Sequence, residues 1–292
     1  MAEATHEPVL VSEVVELLSG AETLIDLTVG AGGHARALLD AGVGRVVGID
    51  RDPRVLDEAR ARLADVGARF RTFRVRFSQV LEVAQEAGVR EAGGVLYDLG
   101  VSSLQLDRPQ RGFSYRTEGP LDMRMGEETR TAADVVNAYP EDELGRLIRA
   151  YGEERFAGRI ARAIVRARER APLRTTRELA AVVAAAVPRR RGGPHPARRT
   201  FQAIRIEVNG ELEELAASLP RAVQLLAPGG RLVAISYHSL EDRLVKSFLR
   251  DDDRLEVLTR KPVRPSAAEA ARNPRARSAK LRAAERRAAQ WP

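Results

Sequence analysis

A chain of 292 residues, 44% apolar and 30% charged, suits one α/β domain carrying a large insertion and excludes a disordered chain. Its net charge of +7 sits at one end: residues 260–292 hold ten Lys/Arg against Glu269 and Glu285, leaving 38 basic and 39 acidic groups in residues 1–259, a nearly neutral body. Zero cysteines exclude disulfides, thiolate metal sites and every Cys nucleophile, including the one that attacks C6 when cytosine C5 is methylated.

In chain order, residues 8–18 carry apolar positions at helical spacing, closed by Gly20, and predict a lead-in helix. A regular alternation follows. Strands are predicted over 23–27, 45–49 ending in Asp50, 69–75 and 94–99, separated by helices from the glycine loop 30–33 to Leu39, from Pro53 to Val66, and over 79–87. Such alternation implies a parallel sheet, helices on both faces, and ligands at the carboxyl ends of the strands. The next strand, 231–237, starts 132 residues past Leu99, too far for one crossover helix. The interval predicts helices at 132–138, 141–151, 153–170, 175–187 and from Arg199 on, with breakers at Pro120, Pro140, Pro172, Pro188 and 192–196. The expected organisation is therefore a discontinuous sheet domain, 1–118 with 209–292, and an inserted all-helical domain, 119–208. Helix 211–226 returns the chain to the sheet. Helix 239–249 follows the fifth strand, and 255–263 is the remaining strand candidate, antiparallel at one end of the sheet. No run approaches the roughly 18 uncharged apolar residues of a membrane span, and the N-terminus lacks a signal peptide's basic flank and apolar core. A cytoplasmic protein with no membrane partner is expected. His6, His34, His195 and His238 show no H-x-x-x-H spacing, so no protein-held metal is expected.

Three segments carry chemistry. Asp26 precedes the loop Gly30-Ala-Gly-Gly-His34, and Asp50 closes the second strand, where an acid can accept both hydroxyl hydrogens of a ribose. Gly30, Gly32 and Ala35 also satisfy G-x-G-x-x-G/A, so a nicotinamide-dependent oxidoreductase competes with an S-adenosylmethionine (SAM) enzyme. Asp26 favours SAM, whose methionine ammonium calls for an acid before the loop; its other reading is a turn cap. Asp98, ending the fourth strand, could accept from a substrate amine, bind the cofactor's amino group, or be a solvated strand end. His238, after the fifth strand, is either a site residue or part of a helix start, since Ser239 and Asp242 spell S-x-x-D. Phe77 and Tyr237 could stack on a base or belong to the core. Arg189, Arg190, Arg191, Arg198 and Arg199 around His195, and seven Arg/Lys between 272 and 287, read as RNA contacts or as solvated loops and a frayed tail. Only three lysines accompany 45 arginines, a skew that resembles coding bias, so arginine abundance alone says little.

These segments closely resemble the small-subunit rRNA cytosine-N4 methyltransferases of the RsmH or MraW family. The marks are Gly-Ala-Gly-Gly-His at 30–34, Ile-Asp-Arg-Asp-Pro at 49–53, Asp-Leu-Gly-Val-Ser-Ser at 98–103, Gly-Pro-Leu-Asp-Met-Arg-Met at 119–125, Tyr-Gly-Glu-Glu-Arg-Phe at 151–156, Arg-Thr-Phe-Gln-Ala-Ile-Arg at 199–205, His-Ser-Leu-Glu-Asp at 238–242 and Asn-Pro-Arg-Ala-Arg-Ser at 273–278. The resemblance spans almost the whole chain. It implies a Rossmann-like class I SAM-dependent sheet with an inserted helical substrate-recognition domain, and methyl transfer to N4 of one cytosine in the decoding region of 16S rRNA. It places SAM on Gly32, Gly33, His34, Asp50, Phe77, Asp98 and Gln105. Asp98 and His238 are the catalytic candidates. The implied partner is 16S rRNA, free or within the 30S subunit, and a homodimer is open. Independently, a cytosine enzyme without Cys must act on N4 or a ribose rather than C5. A non-catalytic RNA-binding protein of ribosome assembly is the remaining alternative.

Overall fold

The structure is a computed structural model that describes residues 8–128, 130–188, 193 and 195–288. The chain forms two compact units, 1–100 with 212–292, and 101–211.

The first unit is built on a seven-stranded sheet. Helix α1 (Val11–Leu18) leads into β1 (Thr23–Asp26), α2 (Gly33–Asp40), β2 (Arg45–Asp50), α3 (Pro53–Arg62), β3 (Phe70–Arg74), α4 (Val80–Glu86) and β4 (Ala92–Asp98). The sheet order is β3-β2-β1-β4-β5-β7-β6, with β3 to β5 parallel and β7 antiparallel to both of its neighbours. Because order reverses between β1 and β4, the crevice for a ligand opens at the carboxyl ends of these two strands. Both faces are covered, so the central strands are apolar throughout rather than alternating. Ile25, Val47, Val95 and Leu232 pack on one face with α4 residues Val80 and Val83. Leu24, Val46, Leu96 and Val233 pack on the other with Val14, Leu18 and Leu38. Tyr97 is fully buried, and its hydroxyl donates to Ser218 Oγ at 2.9 Å. That bond removes the cost, about 1–3 kcal/mol, of an unpaired buried hydroxyl in a strand where aliphatic residues need no partner.

The second unit is helical: α5 (Ser103–Asp107), α6 (Ala132–Ala138), α7 (Glu141–Gly152), α8 (Ala157–Arg168), α9 (Thr176–Ala186) and α10 (Arg198–Asn209). Thr131 and Thr175 start α6 and α9 with capping boxes completed by Asp134 and Glu178. Leu144, Ile148, Ile160, Ile164, Leu179, Val183, Phe201 and Ile204 form its core. The motif at 119–125 is a loop tied to α10: buried Asn209 donates to the Met123 carbonyl at 2.8 Å and accepts the Met125 N–H at 2.9 Å. This unit begins at residue 101, earlier than the boundary at 119 read from the sequence. Val101, Leu106, Phe113 and Tyr115 belong to the helical core, although nothing in their own spacing announces it.

Helix α11 (Glu211–Leu225) leads to β5 (Leu226–Ser236), α12 (Ser239–Asp251), β6 (Leu255–Val257), α13 (Ala267–Arg272) and β7 (Lys280–Arg286). The C-terminal segment corrects two expectations. The basic stretch after Arg272 is no frayed tail, since β7 inserts between β5 and β6 with Leu232 opposite Ala284. The strand expected over 255–263 lies antiparallel at the sheet's edge but spans only three residues, with Val263 returning as a single bridge to Leu281.

Candidate active site

Three carboxylates end three strands of the sheet unit. Asp26 closes β1, Asp50 closes β2 and Asp98 closes β4. Between them runs the glycine loop. Gly32 has φ +77°, a left-handed conformation that favours glycine, and a Cβ there would stand 2.8 Å from Leu63 Cδ1, which would have to move. At Gly33, the first residue of α2, a Cβ would meet the Pro8 ring at 2.6 Å. The lead-in segment thus braces the loop.

Asp50 orders this loop. Its Oδ2 accepts the Gly30 N–H at 3.2 Å and its Oδ1 the Asp52 N–H at 2.9 Å. Each oxygen keeps acceptor capacity for a ligand hydroxyl. Burial raises the Asp50 carboxyl to about 6 despite those two bonds. Asp26 is more extreme: burial, reinforced by the negative Asp98 and Asp50 and only partly opposed by the Thr28 N–H, pushes it up to about 8. Neither acid has an ion-pair partner among the described residues. Buried carboxylates without cations are where a cationic ligand gains most.

Asp98 sits in a network within the same unit. Its backbone N–H donates to Thr28 Oγ1 at 2.6 Å, its Oδ1 accepts from the Tyr237 hydroxyl at 2.7 Å, and its Oδ2 lies 3.5 Å from His34 Nδ1. His34, in the first turn of α2, is buried, and its Nε2 stands 2.8 Å from the Val9 carbonyl. A carbonyl only accepts, so Nε2 carries hydrogen and Nδ1 faces Asp98. Burial and the adjacent Asp98 raise the Tyr237 hydroxyl well above its ordinary range, which keeps it a donor. Tyr237 thus holds Asp98 through its hydroxyl.

His238 corrects the reading of its motif. The N-cap of α12 is His238, not Ser239, and the box is completed by Glu241, which accepts the Tyr237 and His238 N–H groups at 2.8 and 3.2 Å, while His238 Nδ1 accepts the Glu241 N–H at 3.4 Å. His238 Nε2 is buried, lies 3.0 Å from Glu241 Oε1, and makes no hydrogen bond. Asp242, expected to cap, instead binds Arg282 Nε at 2.7 Å and Lys280 Nζ at 2.8 Å.

Phe77 lies after β3, half-buried, edge-on to Tyr97 with ring centroids 6.0 Å apart. Gln105 belongs to the helical unit, where it is buried and forms a capping box with Ser102. Of the arginines around His195, Arg189, Arg190 and Arg191 lie outside the described residues. Arg199 is engaged by the Glu153 carbonyl at 3.1 Å. His195 stacks on Tyr115 at 4.7 Å with 16° between planes, and the Arg116 guanidinium lies 5.9 Å from the Tyr115 ring centre. Sequence reasoning missed this stack, as it missed Thr28 and the Tyr237 hydroxyl. All depend on contacts between residues far apart in the chain.

The sequence profile of the MraW methylase family matches residues 3–287. Similar proteins carry the name Ribosomal RNA small subunit methyltransferase H. The one from Deinococcus radiodurans is 52% identical, covering 98% of this chain and 91% of its own length. The one from Carboxydothermus hydrogenoformans is 48% identical, covering 97% and 98%, and that from Acidothermus cellulolyticus is 49% identical, covering 96% and 93%.

Proposed function

The chain belongs to the MraW methylase family and uses SAM as methyl donor, and from that premise we propose that it methylates N4 of a cytosine in the decoding region of 16S rRNA. Membership removes the nicotinamide oxidoreductase suggested by the glycine spacing. The relatives' shared name supports small-subunit rRNA as substrate. The absence of cysteine supports N4 over C5, because the C5 route needs a covalent Cys adduct.

The sheet unit fits the cofactor. Asp50 offers a half-buried pair of acceptors suited to ribose hydroxyls, the loop at Gly32 and Gly33 keeps side chains away, and Asp26 is a buried acid lacking a cation among the described residues. SAM supplies a methyl group on a positively charged sulfur, ready for direct displacement.

The observation that carries the N4 reading is the fixed carboxylate of Asp98. An exocyclic cytosine amine has its lone pair delocalised into the ring, so it attacks only when acceptors hold its hydrogens and favour a pyramidal nitrogen. Asp98 is an acceptor whose carboxylate is oriented by the Tyr237 hydroxyl and whose backbone N–H is anchored on Thr28 Oγ1. Its Oδ2 would take the N4 proton as methylation proceeds, and His34 Nδ1, with Nε2 already occupied as donor, stands ready to share it. His238, with a buried Nε2 that makes no hydrogen bond, contributes from the adjoining strand end by orienting the base. The target must leave its stack to reach these groups. The test is mass mapping of 16S rRNA from a deletion strain before and after treatment with the purified protein and SAM, using free rRNA and small subunits in parallel. A methyl group gained on a decoding-region cytosine N4 is expected. A methyl on C5 or a ribose, or none, overturns the reading.

A further inference from the structure

Away from the carboxylate cluster, at the β6 edge of the sheet unit, α12, β6 and β7 enclose a cavity of about 220 Å³ lined by Lys246, Leu249, Arg250, Val257, Thr259, Arg260 and Arg282. Leu249 is buried and Val257 half-buried, so the floor is apolar, while every ionisable group in the lining is a cation. Arg282 is the central feature. Its side chain is 8% exposed and its Nε is spent on Asp242, yet its two terminal nitrogens make no hydrogen bond within the described residues. Lys246 and Arg260 are exposed and likewise have no acidic partner there; Arg250 is bound by Asp251. Asp242 is shared between Lys280 and Arg282, so one carboxylate serves two cations. Lys246 and Arg260 therefore bring to the cavity positive charge that no carboxylate among the described residues pairs, and Arg282, neutralised by Asp242, adds two unspent terminal donors.

We infer that this cavity receives a phosphate of the RNA strand, with the adjoining sugar against Leu249 and Val257. A planar guanidinium with unspent parallel donors matches a phosphate's oxygens, and two flexible cations at the rim suit a chain rather than a small ion. The cavity lies along α12 from His238, and Lys246 is eight residues on, about 12 Å at 1.5 Å per residue. A strand whose target base is held near His238 would pass this pocket with a flanking nucleotide. The inference rests on the RNA-substrate reading and adds to it a clamp on the sheet unit, separate from the arginines around His195.

The experiment measures binding of a decoding-region RNA fragment at several salt concentrations, for the wild type and for a Lys246→Ala/Arg260→Ala variant, whose two side chains make no hydrogen bond or ion pair among the described residues. SAM affinity by calorimetry serves as fold control. The variant should bind RNA about tenfold more weakly, with a salt slope shallower by about 0.7 for each phosphate it no longer neutralises, and bind SAM as the wild type does. Arg282→Lys, which keeps the charge but loses the fork, should reproduce part of the loss. If the wild type binds RNA and both variants match its affinity and slope, the pocket is not an RNA site while the substrate reading stands. If the wild type binds SAM but no RNA or small subunit, both fail. Inorganic phosphate is the third arm: saturation of the Arg282 side-chain NMR signals at millimolar phosphate, with an unaltered RNA slope in the variants, would assign the pocket to a free anion and overturn the inference.

Discussion

Two groups of aspartates within one sheet unit have opposite electrostatic fates. At the ends of β1 and β2, buried Asp26 and half-buried Asp50 have only backbone N–H donors among the described residues, and loss of hydration drives them up to about 8 and about 6. On α12, burial would also raise Asp242, but the Arg282 and Lys280 bonds outweigh it and hold the carboxyl below its ordinary value. The first pair has no compensating cation among the described residues; the second is compensated within the fold. A buried acid without a cation thus marks a binding site, and one with two cations marks a structural joint.

The largest disturbance of this contrast is to delete the joint's partners. A chain ending after Arg272 lacks β7, an interior strand that pairs with both β5 and β6, and leaves Asp242 unpaired. We expect no cooperative thermal transition and no SAM binding. A truncated protein that melts cooperatively would show that the segment is an appendage after all. The next effect is at the site: Asp98→Ala should lower single-turnover methyl transfer by about 10²–10⁴-fold under saturating SAM and RNA, the range of a lost acid/base or amine-holding group. Transfer at the wild-type rate would move the amine's acceptor to the backbone. Third, Asp242→Asn leaves buried Arg282 uncompensated and should cost about 2–4 kcal/mol in urea denaturation, with SAM affinity in the surviving folded protein retained. A cost under half a kilocalorie would make the joint ornamental.

The last test is the pH dependence of the ligand-free protein. Asp26 and Asp50 bind protons more tightly folded than unfolded, so between the ordinary value of 3.8 and their raised values the folded state holds more protons. Stability must then fall as pH rises, first through about 6 and then through about 8. Melting temperatures from pH 5 to 8.5 should decline, and Asp26→Asn should flatten the upper part of that decline. A profile identical in wild type and variant would mean that Asp26 is not held protonated. Asp242, lowered when folded, works in the other direction, losing its contribution as pH drops below the ordinary carboxylate range.

Much of this was legible in the residues alone, because it depends on short-range chemistry. Alternating strands and helices up to Asp98, the glycine loop between Asp26 and Asp50, and the helices from Ala132 to Ala186 follow from periodicity, caps and breakers a few residues apart. The resemblance carried by the motifs led to the right family. The decisions left to the tertiary structure all involve residues distant in sequence. Nothing local says that the arginine-rich end pairs as β7, since Arg282 reads as a solvated charge until Asp242, 40 positions earlier, is beside it. Val101 to Tyr115 likewise join the helical core only once the helices from α6 to α10 are assembled. The His238 cap, by contrast, was there to be read locally, since Glu241 three residues on completes the box, and the neighbouring S-x-x-D drew the reading away from it. Burial and long-range pairing set the charge state and direction of a polar side chain, and neither is encoded in its immediate neighbours.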